Sequence, residues 1–285
     1  MRIKEVVMFA DKKLIDFREI SAEYLTIYNV TDKDVFYDLD GEYECFPSDL
    51  TMLVTALVAL KYCKLDDEFV VGDEQIVLDE YMDPACVGLE VGEVWTFREL
   101  LYMMILNPAS DAAYAIAYNV MNSLHEYDNL SMNKKFLKFM ELMDEYCLSI
   151  GCENCHFKSI SGSEYVFNKI VLNVSSTDDL AKVMMKAMKV PELVEIFKTK
   201  EITFQKGNKT YHIKNSIRNL HEDDEFYCKY MIGGIKGRSN LAGSCLLCAA
   251  EGKEHTFVMA MVDAHSDELC FKDAKVIFDC IFGDD

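Results

Sequence analysis

The stretch FPSDLTMLVTALVAL at residues 46–60 says more about the fold than any other part of this chain. From Leu50 to Leu60 every side chain is apolar or small except those of Thr51 and Thr55. A helix that apolar on all sides belongs at the centre of a core. The preceding Pro47-Ser48-Asp49 supplies a stop, a cap and a carboxylate suited to the positive end of a helix. Asp49 is expected there as an N-cap or first-turn residue, with Ser48 as the N-cap or the residue before it.

Strand patterns lie on both sides of this helix, at 24–30, 35–39, 201–204, 211–213, 245–250 and 256–263, and bracket a mostly helical middle. The sheet is therefore built from distant parts of the chain. At 285 residues, with 51% hydrophobic residues and no Pro-, Gly- or Ser-rich linker, one composite domain over 1–285 is expected. Its α/β part spans roughly 20–45 and 200–285 and its helical part roughly 46–199.

The net charge of −20 argues against nucleic acid or an anionic membrane as partner. The acidic excess sits in loops such as 66–68 and 222–225, which reads as a solvated surface. Residues 1–20 offer only a short apolar run at 6–10, too short for a secretory segment, and no stretch is long enough to span a bilayer. Eleven cysteines scattered through predicted helices and strands suit a reducing interior, so a cytoplasmic location is expected. Cys152-x-x-Cys155 and Cys245-x-x-Cys248 invite a zinc reading, but the second pair lies in a predicted strand. There i and i+3 point to opposite faces, and neither a metal nor a cofactor is expected. The six histidines show no clustering and receive no role.

Motif by motif, the chain resembles the serine D-alanyl-D-alanine carboxypeptidases, the low-molecular-weight penicillin-binding proteins of peptidase family S11. Their Pro-Ala-Ser-x-x-Lys segment, followed by a run such as I-M-T-A-L-V-A-L, aligns without a gap on residues 47–60. Residues 22–47 look like the family's opening hairpin, and 64–67 and 88–106 follow its K-L-D-D and G-L-x-x-G-E-x-W-T patterns. Residues 136–157 are similar to F-x-x-x-M-N-x-x-A-x-x-L-G-M-x-N-T-H-F. Ser161-Gly162 stands where the family has Pro-Ser-Gly, 175–188 follows S-T-A-x-D-L-A, and 273–282 matches the closing helix. The unbroken order over roughly 22–282 is what makes the resemblance specific. It implies the serine β-lactamase and penicillin-binding-protein (DD-peptidase) fold, α+β, with an antiparallel sheet flanked by helices and an all-helical insertion. The family's C-terminal β-rich domain is not expected here.

The working atoms of the family's site are altered. Active members combine S-x-x-K, S-x-N and K-T-G. In this register the nucleophilic serine falls on Asp49 and the lysine on Met52. Aligning Asp111-Ala112-Ala113 with the N-D-A-A region puts the second motif's serine on Pro108 and its asparagine on Ser110. The third motif keeps Lys236 and Gly237, but GIKGRSNLAG is one residue short and lacks the threonine. Lys236 is expected to keep its place, and to pair with Asp49 across the old cleft.

Acyl transfer by this route needs an activated hydroxyl, a base in reach and an oxyanion hole. Asp49 is a weak nucleophile and Met52 takes no proton. A register shift to Ser48 places Thr51 at the base position, with Lys61 about 20 Å along the helix. Losing a serine nucleophile typically costs about 10⁶ in turnover in a triad hydrolase. The expectation is a catalytically inactive relative that binds a protein partner or a small ligand in a remodelled cleft. The alternatives are an active serine hydrolase using Ser48 or Ser110, and a structural module whose cleft is filled.

Overall fold

Strands with apolar residues at consecutive positions need cover on both faces, and the segments at 245–250 and 256–263 are of that kind. The computed structural model describes residues 6–8, 14–73, 85–166, 169–170 and 172–283. Its central sheet has five antiparallel strands: β1 (Tyr24–Asn29), β2 (Asp34–Leu39), β3 (Met231–Ser239), β4 (Gly243–Glu251) and β5 (Thr256–Ala264). Their order is β3-β4-β5-β1-β2, so the first strand of the sheet pairs with the last and closes the chain on itself. Cys245, Leu247 and Ala249 enter the core on one face, Leu246, Cys248 and Ala250 the core on the other. This is the period-two alternation of a strand with both sides buried.

One face is covered by α1 (Thr51–Ala59), α2 (Phe97–Leu106), α3 (Ser110–Ser123), α4 (Met132–Ser149), α5 (Thr177–Ala187) and α6 (Pro191–Lys198). The other is covered by the closing helix α7 (Asp267–Phe282). Helix α1 is the centre of the helical side, as its composition demands: all nine of its residues are buried, and it packs on α3, α4 and α5. Its two threonines stay polar at no loss. The Thr55 hydroxyl donates to Ile160 O at 2.7 Å, and Thr51 Oγ1 accepts from the Asn173 amide at 3.0 Å. Each fully buried aliphatic side chain contributes about 1.5–3 kcal/mol, so packing alone holds this helix in place. Among the described residues, no helix is long and apolar enough to cross a membrane.

Three expectations are corrected. The Pro-Ser-Asp run does not cap α1 through a side chain: a 3-10 turn at Ser48–Leu50 runs directly into the helix, and Leu50, the residue before it, is already helical. Strand β3 escaped the strand pattern because its glycines break the alternation. Gly233 adopts φ 125°, and a Cβ there would lie 2.2 Å from Phe197 O at the end of α6, so only glycine fits. The strands predicted at 201–204 and 211–213 form a separate hairpin, Glu201–Lys206 with Lys209–Lys214. It joins the helical side, where Tyr211 meets Trp95 edge-on at 4.9 Å between ring centroids.

Candidate active site

The start of α1 meets the edge strand β3 where the resemblance places a catalytic centre. Gly237 lies against it: a Cβ on Gly237 would sit 2.9 Å from Asp49 N and 3.3 Å from Leu50 N. On the opposite side Gly162, with φ 91°, approaches so closely that a Cβ would lie 2.0 Å from Ser48 O. Ser48 itself is held at φ 47°, a left-handed conformation that costs a non-glycine residue about 1–2 kcal/mol. The Asp49 carboxylate accepts from the Arg238 backbone N–H at 3.3 Å, so it reaches across to the sheet. Met52 is fully buried among apolar side chains, one turn further in.

The parity of β3 decides where its lysine goes. The ladder between β3 and β4 is regular from Gly233 to Ser239, so side chains alternate strictly there. Gly237 faces Asp49, and Ile235, two residues earlier, shares that face and is buried in the helical-side core. In K-T-G the residue two before the glycine is the lysine, so Ile235 occupies the lysine's register. Lys236 points to the other face, where its ammonium donates to Asp267 Oδ2 at 2.9 Å. Asp267 also accepts from the Ser244 hydroxyl at 2.6 Å, and Arg238 Nη1 stands 3.9 Å from it. Burial pushes the Asp267 carboxyl up, but the Ser244 hydroxyl and the Lys236 ammonium outweigh it and hold its pKa below the ordinary value. The expected pairing of Lys236 with Asp49 is thus replaced by Lys236 with Asp267. The one-residue shortening of the motif flips the lysine through the sheet.

Pro108 and Ser110 are buried between α2 and α3. Among the described residues the Ser110 hydroxyl has no hydrogen-bond partner, and its own backbone N–H donates to Ala85 O at 2.6 Å. Beside it, the buried Asp111 carboxylate accepts from the backbone N–H groups of Val87, Gly88 and Leu89 at 2.8–3.1 Å and from that of Ala112 at 3.0 Å. Burial raises its pKa, with those four donors opposing. Asp111 therefore organises the 85–90 loop. Ser161 is fully buried, and its hydroxyl accepts from the Ser163 backbone N–H at 3.4 Å. The cavity beside Ser48, walled by Phe46, Gly162, Asn173 and Ser239, offers about 10 Å³ to the centre of a water-sized sphere, room for about one water. Glu164 is the titratable side chain among its described lining residues, which include no lysine or histidine.

Two groups in this region went unread in the sequence. Asp267 follows the Ser266 cap of α7 and looks like any first-turn acid, and Ile235 looks like any strand residue. One potential metal-ligating group is present among the described residues: Cys152, Cys155 and Asp179. Cys245 and Cys248 fall on opposite faces of β4, as their spacing requires.

A family model described as D-alanyl-D-alanine carboxypeptidase, peptidase S11, matches residues 10–266. The D-alanyl-D-alanine carboxypeptidase of Streptomyces sp. (strain K15) is 30% identical over 167 residues, 58% of this chain. That match spans about half of the relative, 53% of its length. The crystal structure of the Streptomyces K15 DD-transpeptidase superposes with a TM-score of 0.79 at 24% identity, covering 92% of this chain and 97% of that one. A D-alanyl-D-alanine carboxypeptidase of Mycobacterium tuberculosis superposes with a TM-score of 0.75 at 22% identity, covering 91% and 90%. These two likenesses establish the DD-peptidase fold, and the match over residues 10–266 places the chain in the D-alanyl-D-alanine carboxypeptidase family, peptidase S11.

Proposed function

We propose that this member of the family is catalytically silent towards D-alanyl-D-alanine peptides. It would serve instead as a binding scaffold for a protein partner or a small ligand in the cytoplasm. The observation that carries the reading is the identity of the groups at the start of α1. A carboxylate held by the Arg238 N–H stands where a hydroxyl is needed, a buried thioether stands where an amine is needed, and Ile235 holds the register of the sheet lysine. Ser48 is next to the site, but the described walls of its cavity carry no lysine or histidine, and the space beside it is too small for a peptide. The eleven cysteines, seven of them buried, suit a reducing compartment.

Acylation by a fluorescent penicillin tests the silence, because a covalent adduct demands a live nucleophile. No labelling, and no D-alanine release from a pentapeptide, are expected. A stoichiometric adduct mapped to Ser48 or Ser110 would establish the alternative, an active serine hydrolase with a displaced nucleophile.

A further inference from the structure

A corner of the helical side, away from the start of α1, gathers three thiols and a carboxylate from three segments of chain. Cys147 lies in the last turn of α4, Cys152 and Cys155 in the loop that leaves it, and Asp179 in the first turn of α5. The sulfur atoms of Cys152 and Cys155 and a carboxylate oxygen of Asp179 all lie within 4.8 Å of one another. Cys155 Sγ is 3.9 Å from Asp179 Oδ2, and the Cys152 backbone N–H donates to Cys147 O at 2.9 Å, which sets Cys147 beside the other two cysteines. We propose that Cys147, Cys152, Cys155 and Asp179 are the four ligands of a structural zinc ion.

The dimensions fit. Zinc–sulfur bonds of about 2.3 Å set the edges of a tetrahedron at about 3.8 Å, so Cys152, Cys155 and Asp179 need to close by no more than about 1 Å, with Cys147 turning in as the fourth donor. The surroundings are those of a closed site: Cys147, Cys152 and Asp179 are buried to 1%, 2% and 0% exposure, and Cys155 is half-buried. Three soft sulfur donors select zinc over magnesium or calcium.

Outer partners that orient and balance the ligands are already in place, as metal sites require. Asp179 Oδ2 accepts from the Asn154 backbone N–H at 2.7 Å, and Asp179 Oδ1 accepts from Lys182 Nζ at 2.9 Å. The Ser175 hydroxyl is 3.3 Å from Cys155 Sγ. Three thiolates and a carboxylate around a divalent ion leave two negative charges, and the Lys182 ammonium offsets one.

A lone buried cysteine is ordinarily a small apolar residue. That reading suits Cys248, which is packed among the apolar side chains of the core under α7. It does not explain three cysteines converging on one carboxylate. In the pattern A-x-x-L-G-M-x-N-T-H-F, the alanine, methionine and threonine are Cys147, Cys152 and Cys155 here, while Asp179 matches the aspartate of S-T-A-x-D-L-A. The sulfur donors are this chain's own. Cys152-x-x-Cys155 invited a zinc reading but could not complete one, because its third and fourth donors come from other turns of chain.

The experiment uses the full chain, purified under reducing conditions. One zinc per chain is expected after exhaustive dialysis. The cobalt-substituted protein should show thiolate-to-cobalt charge-transfer bands and the intense d–d bands of a tetrahedral ion. Chelation should lower the thermal midpoint and added zinc restore it. Cys155→Ser should lose about a third of the charge-transfer intensity and bind zinc more weakly, Ser175→Ala should weaken zinc about 10-fold, and Cys63→Ser should leave both unchanged. Reduced protein that takes up no zinc, an octahedral cobalt spectrum, a Cys152–Cys155 disulfide by mass spectrometry, or full zinc retention in Cys155→Ser would each overturn the proposal. Should Cys155→Ser fail to fold, the cobalt spectrum of the unmodified chain still decides.

Discussion

The start of α1 and the corner between α4 and α5 depart from the family pattern in opposite directions. At the first, groups that did chemistry are replaced by groups that pack: a thioether for an amine, an isoleucine in the register of a lysine. At the second, an alanine, a methionine and a threonine give way to three cysteines beside a carboxylate. The difference teaches that a fold tolerates loss of polar working groups where core packing holds the backbone. It gains buried polar groups only where each finds a partner.

The most forceful way to break the comparison is Met52→Lys, which returns the motif's base to a fully buried position. In the apolar core that buries Met52 the new charge should destabilise by about 3–5 kcal/mol, read from urea midpoints. Asp49→Ser with Met52→Lys should not restore penicillin acylation either. Near-native stability of Met52→Lys would mean that the start of α1 has remained a polar site.

A smaller effect sharpens the account of β3. Lys236 and Asp267 are each about a quarter exposed, at 25% and 28%, so Asp267→Asn should cost about 1 kcal/mol at neutral pH. The folded pKa of Asp267 lies below its ordinary value of 3.8, so this stability is present above that value and is lost as pH falls through the folded pKa. The difference between the variant and the parent should therefore shrink in acid below about pH 4, as followed by thermal midpoints across pH. A difference that grows in acid would place the ion pair elsewhere.

The smallest effect has the opposite sign. Ser48 sits at φ 47°, where glycine carries no Cβ penalty, so Ser48→Gly should stabilise by about 0.5–1 kcal/mol. A loss of stability would show that the Ser48 side chain holds the turn in a way its backbone does not reveal.

Helix α1 was legible in the sequence because eleven nearly unbroken apolar residues have only one place to go. Strands β4 and β5 were legible for the same reason, and the motif order made the whole DD-peptidase fold readable. β3 was hidden because glycines at 233, 234 and 237 carry no side chains to alternate, although they are what lets α6 and α1 come close. Of the two positions expected for Asp49 it takes the first-turn one and not the N-cap, because a 3-10 turn continues into α1 and leaves no extended N-cap residue for a side chain to serve. Of the Cys147–Asp179 corner only the Cys152-x-x-Cys155 spacing was legible, because its outer donors lie 32 residues apart in sequence and meet only when α4 and α5 pack.

Composition and motif order settled the family and the central helix, and put Asp49 and Met52 where the family pattern has a serine and a lysine, since those depend on which atoms are present. Two things came only from the folded chain. The first is the face of β3 on which Lys236 stands, because a one-residue change of register reverses every side chain of a strand and the ladder alone fixes that register. The second is the meeting of three cysteines with Asp179, because convergence of remote donors is a property of packing that no local pattern encodes.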